Sequence, residues 1–144
     1  GVIVAAGSHF SGWSFYLDSG KPVAYAAVSP LPLPGMQSRV AATEPLTAGT
    51  HKVRYDVDMD RAKGSGTLTI LVNGKPVATG SVAQYPQILA GNGETFDTGI
   101  DTHVPVSPDY VNGGKFNGEI RRIEVKIKLP VVARLVMKAK ELME

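Results

Sequence analysis

The stretch HKVRYDVDMD, residues 51–60, alternates polar and apolar side chains without a break. Val53, Tyr55, Val57 and Met59 fall on one side of an extended chain, and Lys52, Arg54, Asp56, Asp58 and Asp60 on the other. Successive side chains of a strand point to opposite faces, so this pattern calls for a sheet with one face on a core and one in water, the habit of antiparallel sheets. The chain then turns at AKGSG (62–66), runs through TLTILVN (67–73) and reverses at Asn73-Gly74 into KPVATGSV (75–82). Asn-Gly supplies the two positive φ angles of a type I′ turn, the tightest way to join two antiparallel strands. A three-stranded meander is therefore predicted over 51–82.

The earlier part reads the same way. VIVA (2–5) is a short apolar run, GSHFSG (7–12) a loop, and WSFYLD (13–18) with PVAYAAV (22–28) a hairpin about DSGK. SPLPLPG (29–35) carries three prolines, which lack a donor for a ladder, so it is a loop or an edge. RVAATEPLTAG (39–49) holds a short strand and a turn. Residues 84–117 show no sustained period, with five glycines and three prolines, and read as long loops around a short strand near 94–98. EIRRIEVKIKL (119–129) alternates again, with a slip between Ile120 and Ile123 that suggests a bulge. After Pro130, Val132, Leu135, Val136, Ala139 and Met143 fall at helical spacing, which predicts a short amphipathic helix. SGKPVAYA (19–26) and NGKPVATG (73–80) echo one another and read as two hairpins of one sheet system. The expected architecture is an all-β antiparallel jelly-roll sandwich over 1–129 and a C-terminal helix over 130–144; a barrel is the alternative.

Composition excludes several function classes. Fifteen basic and thirteen acidic residues leave a net charge of +2, too balanced to argue for nucleic acid or an anionic membrane. The basic residues between 121 and 140 are interleaved with glutamates, as on a solvated face. There are no cysteines, so disulfides, thiol nucleophiles and thiolate metal sites are absent. No run reaches 18 apolar residues, the length a membrane helix needs. The chain begins at Gly1 in an apolar run with no methionine, which leads to the expectation that it is one piece of a longer protein.

The candidate chemistry is sparse. His9, His51 and His103 are too scattered for a local metal site. Asp56, Asp58 and Asp60 spell D-x-D-x-D, but an EF-hand loop needs Gly at its sixth position and Glu at its twelfth, where Arg61 and Thr67 stand. The triplet is thus a solvated strand face or a calcium site at a strand end. Asp97, Asp101 and Asp109 lie in FDTGIDTHVPVSPDY; clustered aspartates in a long loop hold calcium or a sugar, or cap turns through their own backbone. Trp13, Phe15, Tyr16 and Tyr25 offer either a stacking platform for sugar rings or core packing, with Trp13 and Phe15 on one face and Tyr16 on the other. No serine sits in a G-x-S-x-G elbow and no Walker spacing follows a glycine-rich turn.

Five segments, in order over residues 1 to about 128, resemble the C-terminal β-sandwich domain of a subset of bacterial arylsulfatases. GVIVAAGSHFSGWSFYLDSGKPVAY is similar to a G-V-I-x-A-x-G, G-G-W-S-x-Y, D-G-K start, and EPLTAGTHKVRYDVDMD to E-P-L-P-x-G-x-H-x-V-x-x-x-F. GSGTLTILVNGKPVATGSV is similar to G-G-x-x-x-L-x-V-[ND]-G-K-x-V-x-x-G, ETFDTGIDTHVPVSPDY to E-x-x-D-x-G-x-D-x-x-x-P-V-x-x-x-Y, and KFNGEIRRIEVKI to F-x-G-x-I-x-x-V-x-[IV]. SPLPLPGMQS (29–38) departs from a usually more aromatic stretch, and the tail from 130 has no counterpart. The resemblance implies a concanavalin-like sandwich and a non-catalytic accessory role beside an upstream sulfatase catalytic domain. Calcium and the formylglycine made in a C/S-x-P-S-R motif would belong to that domain; this chain has no such motif, so no catalytic residue carries over and no cofactor is expected in it. The C-terminal helix is the candidate contact for self-association. A free-standing carbohydrate-binding sandwich, using Trp13, Tyr16 and Tyr25, is the alternative.

Overall fold

The computed structural model describes residues 1–60, 62–86, 96–102 and 104–125. These residues are all-β apart from a single 3-10 turn at Asn112–Gly114. Eight strands run in order: β1 (Val2–Ser8), β2 (Ser11–Asp18), β3 (Lys21–Ala27), β4 (Gln37–Ala41), β5 (Val53–Asp60), β6 (Ser65–Val72), β7 (Lys75–Val82) and β8 (Phe96–Thr98). They form two sheets, ordered β4-β3-β2-β1-β8 and β5-β6-β7, and every pairing is antiparallel.

The tight turns follow from their residues. Ser19 and Gly20 adopt φ of 50° and 79° between Asp18 and Lys21, and Asn73 and Gly74 adopt 51° and 82° between Val72 and Lys75. Two successive left-handed residues twist the way the strands twist, so these loops close without splaying the ladder. The two hairpins of the sequence echo lie in different sheets rather than side by side in one. The segment GSHFSG is shorter as a loop than its glycines suggest: β1 and β2 pair up to Ser8 and Ser11, leaving only His9 and Phe10 at the turn.

Paired residues share a face, so the registers sort the large sheet. One face carries Trp13, Phe15, Ala24, Ala26 and Val40, and it meets Leu68, Ile70, Ala78 and Val82 of the small sheet in a common apolar layer, with Tyr55 and Val53 at its margin. The arrangement is therefore sandwich-like. Phe15 stacks on Tyr55 across the sheets at 4.2 Å between ring centroids, and on Trp13 beside it at 4.8 Å. The opposite face carries Tyr16, Val23, Tyr25 and Ala27, which pack with Val2, Ala5 and Val106 in a second cluster. Val106 and Tyr110 come from the long segment after β8, which crosses this face as a strap.

Residues 119–125 carry the alternation that predicts a strand, yet they join neither sheet. Val125 is more than half exposed and the ion pairs there are local, Arg121 to Glu119 and Arg122 to Glu124. Alternation without a buried partner surface does not make a ladder. The rest of that predicted strand and the whole predicted helix, with its residues from Val132 to Met143, lie outside the described residues.

Candidate functional site

Among the described residues, a dense polar cluster forms where the strap, residues 99–102 and 104–116, crosses the outer face of the large sheet. Its anchor is Asp101, 1% exposed, whose Oδ2 accepts the Val106 amide at 2.8 Å and the Tyr110 hydroxyl. Tyr110 Oη also lies 3.0 Å from Ser14 Oγ on β2. A phenol has one proton, so the tyrosine donates to the carboxylate and accepts from the serine. Burial, together with the hydrogen bond to Asp101, pushes the Tyr110 phenol well above its ordinary value.

A second node sits one to three residues along from Val106, at Ser107 and Asp109. Tyr16, 1% exposed, donates to Asp109 Oδ2 at 2.5 Å and lies 2.9 Å from Ser107 Oγ. Its ring meets Tyr110 edge to face at 5.1 Å. Arg39 on β4 donates through Nε to Asp109 at 2.8 Å and through Nη2 to Asp18 at 3.0 Å. Burial alone would raise the Asp109 carboxyl, but the bonds from Tyr16 and Arg39 outweigh it and hold the group below its ordinary value. Desolvation raises the Tyr16 and Tyr25 phenols, and the Asp109 carboxylate adds to both effects.

Asp97 of β8 completes the strap. Its Oδ2 accepts the Thr102 amide at 2.9 Å and the Thr102 hydroxyl at 2.7 Å. The three aspartates of FDTGIDTHVPVSPDY thus serve as separate acceptors along one segment, each closing a turn or fixing it to the sheet. Among the described residues no three metal-ligating side chains converge. In the D-x-D-x-D triplet, Asp56 pairs with Arg54 at 2.6 Å and Asp60 accepts the amides of Ala62 and Lys63 across its turn. His51 is tied to Thr47 and Asn73, His9 lies against Phe10, and His103 is outside the described residues.

The three aromatic candidates do not form one surface. Trp13 is half-buried in the layer between the sheets, whereas Tyr16 and Tyr25 are buried on the opposite face beneath the strap. Sequence reasoning placed Trp13 and Tyr16 on opposite faces; it did not find Ser14, Ser107, Arg39 or Tyr110, which complete the cluster. A signal was present in β3: PVAYAA is apolar at every position, and a strand apolar on both faces is covered on both. Compared with protein families, with curated proteins and with solved structures, the chain matches none.

Proposed function

We propose that this chain is a non-catalytic accessory domain of an arylsulfatase-like sulfuric ester hydrolase, docked on a catalytic domain that lies upstream. The reading rests on the five ordered segment resemblances, and one structural observation supports it. The D-x-G-x-D-x-x-x-P-V-x-x-x-Y segment directs its carboxylates and phenol inward, onto the strap and the sheet beneath. On this reading the segment builds the domain rather than performing chemistry. A concanavalin-like jelly roll with a closing C-terminal helix is the architecture that goes with this reading, and the helix is its candidate contact for self-association.

The test is the native polypeptide. An antibody raised to this domain is used to blot an extract of the source and to deplete it. A band several times heavier than 15.2 kDa, with arylsulfatase activity removed alongside it, is the expected result. A band near 15.2 kDa, with the activity left in the supernatant, overturns the proposal.

A further inference from the structure

Two connections at one end of the large sheet are apolar at their tips. The His9–Phe10 turn joins β1 to β2, and residues 28–36 join β3 to β4. They leave the same end, because Gly12 pairs with Ala27 and Ala27 with Gln37. Phe10 is 52% exposed, Leu31 56% and Leu33 55%. Gly1 lies at the other end of β1, where its carbonyl accepts the Leu17 amide, so the tip points away from the N-terminus by one strand length, roughly 20 Å.

The exposure is built in. Leu33 N–H bonds the Leu31 carbonyl at 2.8 Å, a γ-turn about Pro32, whose ring presets φ near the required value. Pro34 and Gly35 occupy the next turn, closed by Met36 N–H on the Leu33 carbonyl at 3.2 Å, with Gly35 at φ 81°. Gln37 Nε2 donates to the carbonyls of Ser29 at 2.6 Å and Leu31 at 2.7 Å, and Val28 N–H closes the loop on Met36. On the neighbouring turn Ser8 Oγ accepts the Phe10 amide at 3.1 Å. The two leucines are thus held outward on a frame already ordered, which lowers the entropic cost of burying them elsewhere.

We infer that this tip inserts into the interfacial layer of a zwitterionic lipid surface. Three half-exposed side chains offer on the order of 300 Å², short of the roughly 800 Å² per partner that a stable protein interface takes, yet suited to shallow, reversible insertion. Residues 7–12 and 28–38 carry no carboxylate, ammonium or guanidinium, so these two connections bring none of those groups into the layer. Among the described residues, the end of the small sheet that approaches this tip, where Gly35 comes near Ala83 and Tyr85 N–H meets the Gly64 carbonyl, carries Asp58, Asp60 and Lys63. There Asp58 and Asp60 offset Lys63, so attraction to anionic headgroups is not the driving force. A proline-rich-peptide recognition role does not fit, because the γ-turn at Pro32 breaks the extended helix such recognition reads.

The experiment is flotation of the full chain with phosphatidylcholine vesicles at low and at 0.5 M salt. The wild type is expected to float at both. Leu31→Ser and Leu33→Ser should each lower partitioning about tenfold, from the apolar area each withholds. Phe10→Ser, on a separate loop, should do likewise, with urea midpoints measured in parallel to show that all three variants fold. Failure of the folded wild type to float, binding abolished by 0.5 M salt, or undiminished binding by the three variants overturns the inference. So does a dimer in the absence of lipid that Leu31→Ser/Leu33→Ser returns to monomer, which would make the occupant a second copy of this chain.

Discussion

Replacing Asp101 with Ala tests whether the strap is held by its carboxylate. The side chain is buried, and its Oδ2 accepts both the Val106 amide and the Tyr110 hydroxyl. A hydrogen bond to a charged group contributes about 1.5–3 kcal/mol, and both donors stay under cover when the acceptor goes, so the loss is about 3–5 kcal/mol. Against a whole-domain stability of about 5–15 kcal/mol that is a large fraction, and for a chain of this length it corresponds to a fall in Tm of about 10–15 °C. Asp101→Asn should cost about 1 kcal/mol, because one amide oxygen keeps two lone pairs for the same two donors. Tyr110→Phe removes the bonds to Asp101 and Ser14 and should cost about 1–2 kcal/mol. The two sites share one bond, so the double variant should be milder than the sum by about 1 kcal/mol or more. Urea unfolding followed by the fluorescence of Trp13, the single tryptophan, reads all four proteins. An Asp101→Ala protein within about 1 kcal/mol of wild type would refute the latch. A wild-type Tm that climbs with added calcium and drops with chelator would instead make the aspartates metal ligands.

Three further outcomes follow from the same geometry. The Tyr55 hydroxyl is buried with no partner among the described residues, so Tyr55→Phe should leave the urea midpoint unchanged or raise it. Ile70, fully buried between the sheets, should lose about 2–5 kcal/mol as Ala in the same urea assay, whereas Val125→Ala on the exposed segment should stay within about 0.5 kcal/mol. The folded Asp109 carboxyl titrates below its ordinary value of 3.8, so its contribution is present above that pH and lost as pH falls through the lower, folded value. Asp109→Asn should therefore flatten the acid limb of a Tm-against-pH curve below 3.8 and leave the slope near neutrality unaltered.

Much of the strand framework was legible because it is encoded locally. The alternation of 51–60 and the Asn73-Gly74 turn specify a meander with no knowledge of what lies across from it. EIRRIEVKIKL shows the limit of that logic, since period two states a preference for a two-sided surface and not the presence of a partner. Its described part forms no ladder. The candidate site was legible only in fragments. Asp97, Asp101 and Asp109 stood out as a cluster, but their partners Thr102, Val106, Tyr110, Tyr16 and Arg39 are drawn from the strap itself, β2 and β4. No spacing rule links Tyr16 to Asp109 across 93 residues.

The patternless segment and the two-sided strand account for one another. β1 and β3 are apolar at nearly every position, so the large sheet needs cover on both faces. The small sheet supplies one cover through regular strands, and its residues show the alternation of a surface with a single buried side. The second cover is the strap, whose described residues 101–102 and 104–110 pair with no strand and must satisfy their backbone in other ways. Aspartate and serine side chains take that part: Asp97 on the Thr102 amide, Asp101 on the Val106 amide, and Ser107 on the Asp109 amide at 3.1 Å. A segment organised by side-chain acceptors has no reason to show a period. Its signature in a sequence is instead a regular supply of Asp, Ser, Pro and Gly beside a sheet that is apolar on both faces.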